Sequence, residues 1–221
     1  MVTKMRFIYA FALLLFTVSL QAQGKEYISF LNSVKFDPNR YEDIKGSPYY
    51  FEDWKTGKVI SYMDTMKTDL LFNFNGYTKY IEVRKNDQVI VLDNRIYQEV
   101  FMDNEEEPEY PYHFSTNGPR EISESFHLVI HKGKNFAVYQ TYISEVAEST
   151  IQDVGKTVQL KSFGDKEIYY LYQSNKLSIL KLKKKWLVKQ FGKEVEKIMK
   201  ENKTDLGNYA DLVLLFRKLD Q

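Results

Sequence analysis

The chain has 221 residues, enough to bury one ordinary core or a compact pair of subdomains, and its 31 basic and 30 acidic side chains leave a net charge of +1. So even a balance of charge provides no basic field for phosphate backbones, and nucleic acid is not expected as a partner. Cysteine is absent, which removes disulfides, thiolate nucleophiles, Cys-based zinc sites and an anchor on a lipidated N-terminal cysteine.

Lys4 and Arg6 precede an apolar run from Phe7 to Leu20, and the small residue Ala22 follows. That layout predicts a secretory signal peptide over residues 1–22, cleaved at Ala22–Gln23. The apolar run is shorter than the roughly 20 residues that cross a bilayer core, and Gln21 to Lys25 holds no basic stop-transfer cluster. A periplasmic or secreted protein is therefore expected, with no transmembrane segment after cleavage. Losing Lys4 and Arg6 leaves 29 basic against 30 acidic residues.

Residues 23–57 form an N-terminal segment that mixes aromatic and polar side chains and ends in the cluster Tyr49, Tyr50, Phe51 and Trp54. From residue 58 to 183 the pattern predicts an antiparallel β domain. Val59 to Met63, Thr68 to Asn73, Lys79 to Arg84 and Gln88 to Leu92 are short runs rich in β-branched and aromatic residues, separated by turn chemistry at Asp64, Asn75-Gly76 and Asn86-Asp87. Leu70, Phe72 and Phe74 share one strand face and Asn73 and Asn75 the other. Val89 to Leu92 do not alternate, which predicts a central strand covered on both sides.

Asp103 to Glu124, with five acids between Asp103 and Glu109 and three prolines, reads as a long loop between two β blocks. The second block comprises Ser125 to His131, Asn135 to Glu145, Lys166 to Gln173 and Leu177 to Lys183, another pair of hairpins. The dense basic run Lys181 to Lys185 reads as a solvated strand end. Over 184–221 the period becomes helical: Phe191, Val195, Ile198 and Met199 form one stripe, and Tyr209, Leu212, Val213, Phe216 and Leu219 a second. Two amphipathic helices packed on the sheet follow from this. The expected class is α+β, an antiparallel meander of about eight strands, as a curved sheet or partial barrel, with two C-terminal helices.

The stretch from Ser47 to Val59 (SPYYFEDWKTGKV), with Leu71 to Asn75 (LFNFN) and Ile81 to Val83 (IEV), resembles a recurring pattern in uncharacterised secreted proteins of Bacteroidota. The lysine-rich end and paired terminal helices are similar too. The resemblance covers most of the mature chain and implies an envelope location and a shared fold. It brings no catalytic residues.

No catalytic frame stands out. The serine hydrolase frame G-x-S-x-G is missing, as are Gly-rich phosphate cradles. His127 and His131 would share one side of a helix, but in a strand four residues span about 13 Å, too far for one zinc. The acidic loop lacks the ligand order of an EF-hand, and no spacing fixes two carboxylates across a cleft. No cofactor and no metal are expected. The aromatic residues Tyr49, Tyr50, Phe51 and Trp54 are the candidate ligand-binding set, able to stack on a sugar or line an apolar groove, or else to plug one end of the β core. The expected function is a non-enzymatic binding or interaction module for an envelope protein, a glycan or a lipid-like ligand. The alternatives are a hydrolase using carboxylates or His127, and a structural accessory of an envelope complex.

Overall fold

A computed structural model describes residues 34–61, 65–85, 88–153 and 156–221; the predicted signal peptide lies outside them. Among the described residues eleven strands form one antiparallel sheet: β1 (Lys35–Phe36), β2 (Lys55–Ser61), β3 (Thr65–Asn75), β4 (Tyr80–Lys85), β5 (Gln88–Val91), β6 (Tyr97–Met102), β7 (Tyr112–Ser115), β8 (His127–Lys132), β9 (Ala137–Asp153), β10 (Lys156–Gln173) and β11 (Lys176–Leu180). Three helices follow, α1 (Lys184–Phe191), α2 (Glu194–Asn202) and α3 (Tyr209–Leu219). The strand order is β1-β5-β4-β3-β2-β6-β7-β8-β9-β10-β11. Two meanders are thus joined side by side, because β6 returns to pair with β2.

The mostly antiparallel sheet with C-terminal helices agrees with the expected class, and several details differ. Asp103 to Glu124 is not one long loop, since β7 lies within it and joins the two blocks by pairing with β6 and β8. Its four residues, flanked by Pro111 and Pro119, are too short to register as a periodic run. Val89 and Ile90 are buried as expected, but β5 is not central: among the described residues only the two-residue β1 lies outside it. The hairpin β9–β10 pairs continuously from Ala137↔Tyr172 to Asp153↔Lys156, well beyond the predicted Glu145. Thr150 and Ile151 on β9 and Thr157 and Val158 on β10 supply β propensity for that extension.

The helical stripe expected as one helix from Phe191 to Met199 is divided in two. Gly192, at φ 89°, ends α1 in a conformation that a side chain would strain, and α2 starts at Glu194. Three helices rather than two result. Leu187, Val195, Ile198, Leu212, Leu215 and Phe216 carry their apolar faces into the cluster that holds Phe72, Val100, Phe114, Leu128 and Val138 of the sheet.

The residues from Lys45 to Phe51 run between two distant strands. Lys45 exchanges backbone hydrogen bonds with the β10 backbone at Lys161 and Phe163. Pro48 and Tyr50 are bonded to Gly76 and Phe74 at the end of β3. Asn73, on the face opposite Phe72 and Phe74, bonds both backbone groups of Phe51, so both sides of β3 are covered here.

Candidate functional site

Beneath the helices the sheet leaves a cleft of about 220 Å³, the volume of roughly seven waters. Its walls are Tyr50, Gln140 of β9, Glu167 and Tyr169 of β10, Leu182, Leu206, Gly207, and Tyr209 and Leu212 of α3. Each polar group arrives for a local reason. Gln140 faces inward because it lies opposite Leu128 in the β8–β9 register. Tyr209 opens α3, whose start is capped by the Asn208 side chain accepting from the Asp211 N–H. Its phenol lies 3.1 Å from the Pro111 carbonyl and accepts from the His113 N–H, tying the helix to the sheet.

The three phenols are held neutral. Burial raises the Tyr50 hydroxyl well above its usual value, and the charge of Glu167 adds to this. Burial likewise raises Tyr169, which donates to Glu167 Oε2 at 2.8 Å, and Tyr209. Gln140 is the group left incomplete. It is 2 % exposed, its Oε1 accepts from Tyr50 at 3.3 Å, and its Nε2 has no partner. Exchanging the two ends of the amide would only move the orphan to the oxygen. A buried amide end without a partner costs about 1–3 kcal/mol.

Of the four aromatic residues expected to bind a ligand, Tyr50 lines this cleft. Tyr50 also packs edge-on against Phe51, Phe114 and Tyr142. Phe51 lies against Tyr112 and Phe114, Trp54 beneath the Arg84 guanidinium, and Tyr49 donates to Glu82. Gln140, Tyr169 and Tyr209 were not legible as a site because they come from three elements far apart in the chain. The one local hint was Gln140 within the apolar run from Phe136 to Tyr142.

The histidines are elsewhere. A bulge between Val129 and His131 shifts the β8–β9 register. His131 lies opposite Val138 of the main cluster, whereas His127 meets Tyr139 of a second, smaller cluster on the other face. Both are in a strand, as expected, and on opposite sides of it. The register also sets Glu99, Ser115 and His127 in one row across β6, β7 and β8, residue types used in serine hydrolysis. Neither nitrogen of His127 makes a well-formed hydrogen bond, and the imidazole is not bonded to Ser115, whose Oγ accepts from the Asn117 N–H instead. His127 and Ser115 are each 1 % exposed. Desolvation lowers the His127 pKa to about 4, with backbone groups of Ile122 and Ser125 offsetting part of it. Among the described residues no three His, Asp or Glu side chains group as metal ligands, and no helix is long and apolar enough to cross a membrane.

Compared with protein-family models, with curated proteins and with solved structures, the chain finds no match.

Proposed function

We propose that this chain is an exported, non-enzymatic binding module of the cell envelope, and that the cleft at Gln140 takes a sugar residue of a glycan. The observation that carries this reading is the unpartnered Gln140 amide in a cleft otherwise lined by phenols, a carboxylate and leucines. A sugar hydroxyl both accepts and donates, so it can meet the amide and the Glu167 carboxylate together, while the ring's apolar face lies on tyrosine. A purely apolar ligand would leave the amide unpaired. The cleft's volume suits one small ring better than an acyl chain.

We read the sheet as curved into a half-open barrel around the helices. What supports this is the contact between Phe74 of β3 and Tyr142 of β9, with ring centroids 6.5 Å apart. Five strand spacings separate β3 from β9, about 24 Å in a flat sheet, beyond the reach of two side chains. The bridge from Lys45 to Phe51 spans the gap that such curling leaves, and the envelope location rests on the signal-like N-terminus.

A hydrolase is less favoured because one carboxylate, Glu167, lines the cleft, whereas glycoside hydrolysis uses a pair. Thermal unfolding with a panel of mono- and disaccharides tests the proposal. A sugar that raises the midpoint in the wild type and fails to do so in Gln140→Leu is the expected result. No stabilisation by any glycan, with stabilisation by fatty acids or detergents instead, overturns it.

A further inference from the structure

We infer that the surface made by the end of β11, α1 and α2 docks on an anionic lipid surface, with Trp186 and Ile179 as its apolar anchors. Between Lys176 and Lys203 the chain carries ten lysines and three glutamates, a surplus of seven positive charges in a protein whose total is +1. The rest of the molecule is therefore acidic. All ten lysines are exposed, so the surplus faces solvent. One of them, Lys184, lies 3.3 Å from Glu196.

Two large apolar side chains stand in the same stretch, Trp186 at 43 % and Ile179 at 71 % exposure. Folding does not call for either of them, because Leu187 already fills the inward position of α1 and Leu180 that of β11. Lys181 and Lys189 hold their ammonium groups 4.7 Å and 5.5 Å from the Trp186 ring, and Ile179 is two residues from Lys181. An indole flanked by lysines suits the boundary between headgroups and acyl chains, where the ring enters the apolar layer and the lysines reach back to phosphate. Charge alone would serve a soluble polyanion equally well. The exposed aliphatic Ile179 and the outward indole favour lipid, since a polyanion offers Ile179 no apolar surface.

The test uses the full chain and its own fluorescence. Trp54 and Trp186 are the two tryptophans, so Trp54→Phe leaves Trp186 as the reporter. Vesicles of equal parts phosphatidylcholine and phosphatidylglycerol should shift its emission to the blue and carry the protein into the pellet. Pure phosphatidylcholine should bind at least about tenfold more weakly, and raised salt should abolish the difference. Reversing Lys181, Lys184 and Lys185 to Glu, and separately Trp186→Ala, should each weaken sedimentation with the anionic vesicles. Equal binding to both vesicle types overturns the inference. So does binding to heparin or DNA without any blue shift on anionic vesicles, and the wild-type measurements decide this even if a variant fails to fold.

Discussion

Glu82 and Gln140 are both buried polar side chains on strands of one sheet, and their surroundings could hardly differ more. Glu82 is fully buried on β4, yet its carboxylate accepts from Arg40 at 2.7 Å, from Tyr49 at 2.9 Å and from Asn75 at 2.8 Å. Arg40 and Tyr49 thereby hold the segment before β2 against the sheet, while Asn75 donates from the neighbouring strand β3. Gln140, 2 % exposed on β9, keeps one end of its amide unpaired. A fully satisfied network is a fastening that explains itself by the chain it holds. An orphaned amide at the edge of a cleft has an unmet partner, and a ligand is the direct way to supply one.

The sharpest way to break this contrast is at the fastening. Arg40→Ala leaves the Glu82 carboxylate buried without its counter-charge, and removing one partner of a buried pair costs about 3–5 kcal/mol. Arg40 is itself partly exposed, so a loss near the lower figure is expected, read as a lower urea midpoint at unchanged slope. Replacing both partners together, Arg40→Met with Glu82→Leu, should recover part of it. A single variant as stable as the wild type would mean that the segment from Val34 to Trp54 is held by its aromatic contacts instead.

His127 is the second orphan, and it differs from Gln140 in lining a closed seam alone, whereas Gln140 lines both that seam and the open cleft. The seam that it lines with Phe114 and Phe126 has no room for a water, so no ligand can relieve it. Its pKa is about 4 in the folded chain and about 6.5 unfolded. Above pH 6.5 both states are neutral and nothing is lost. As pH falls from 6.5 towards 4 the unfolded chain binds the proton first, and stability should drop by about 3 kcal/mol before levelling off. Burial lowers the His113 pKa too, adding in the same direction. His127→Phe should flatten much of this slope in urea titrations at pH 7 and 4.5; an identical slope in the variant would refute the assignment.

One more polar group, half-buried, belongs with Glu82. The Asp220 carboxylate accepts from the Lys134 N–H at 2.8 Å and the Asn135 N–H at 3.0 Å, and lies 3.0 Å from His131 Nε2. It thereby locks the end of α3 to the turn between β8 and β9. A Cβ on Gly133 would collide with this carboxylate, which is why the turn carries glycine. Desolvation pushes the Asp220 carboxyl up, but these bonds outweigh it and hold it below the ordinary carboxylate range. Asp220→Ala should cost about 2 kcal/mol. That contribution is present above the ordinary carboxyl pKa and fades as pH falls through the lowered one, so at acid pH variant and wild type should converge.

How far these clusters could be read from the residue order follows from their range. Strand alternation alone assigns Phe72 and Phe74 to the core, and the helical stripe from Tyr209 to Leu219 requires no tertiary knowledge, because each pattern is completed within one element. The return of β6 to β2 depends on contacts between Gly57 and Met102, which no local pattern encodes. Gly192 was visible as a residue, but its positive φ was not. The aromatic run at Tyr49 to Trp54 marks an unusual segment, while its partition between network, core and cleft is decided by β3, β7 and β9. Nothing local marks Glu82 as buried, since its burial is made by Arg40 and Tyr49 from another segment.

The smallest expected change in stability tests the other side of the contrast. Gln140→Leu combined with Tyr50→Phe removes the orphaned amide and the hydroxyl that would lose its acceptor, leaving two apolar side chains of similar size. Replacing both members of a buried polar pair in this way is nearly neutral, so the midpoint of urea unfolding should move by less than about 1 kcal/mol in either direction. If the amide is kept for a ligand, the double variant should be the least perturbed of the four in stability and the most perturbed in stabilisation by added sugar. A fall of several kcal/mol would instead mean that Gln140 holds the sheet to the helices, and the cleft would lose its claim to be a binding site.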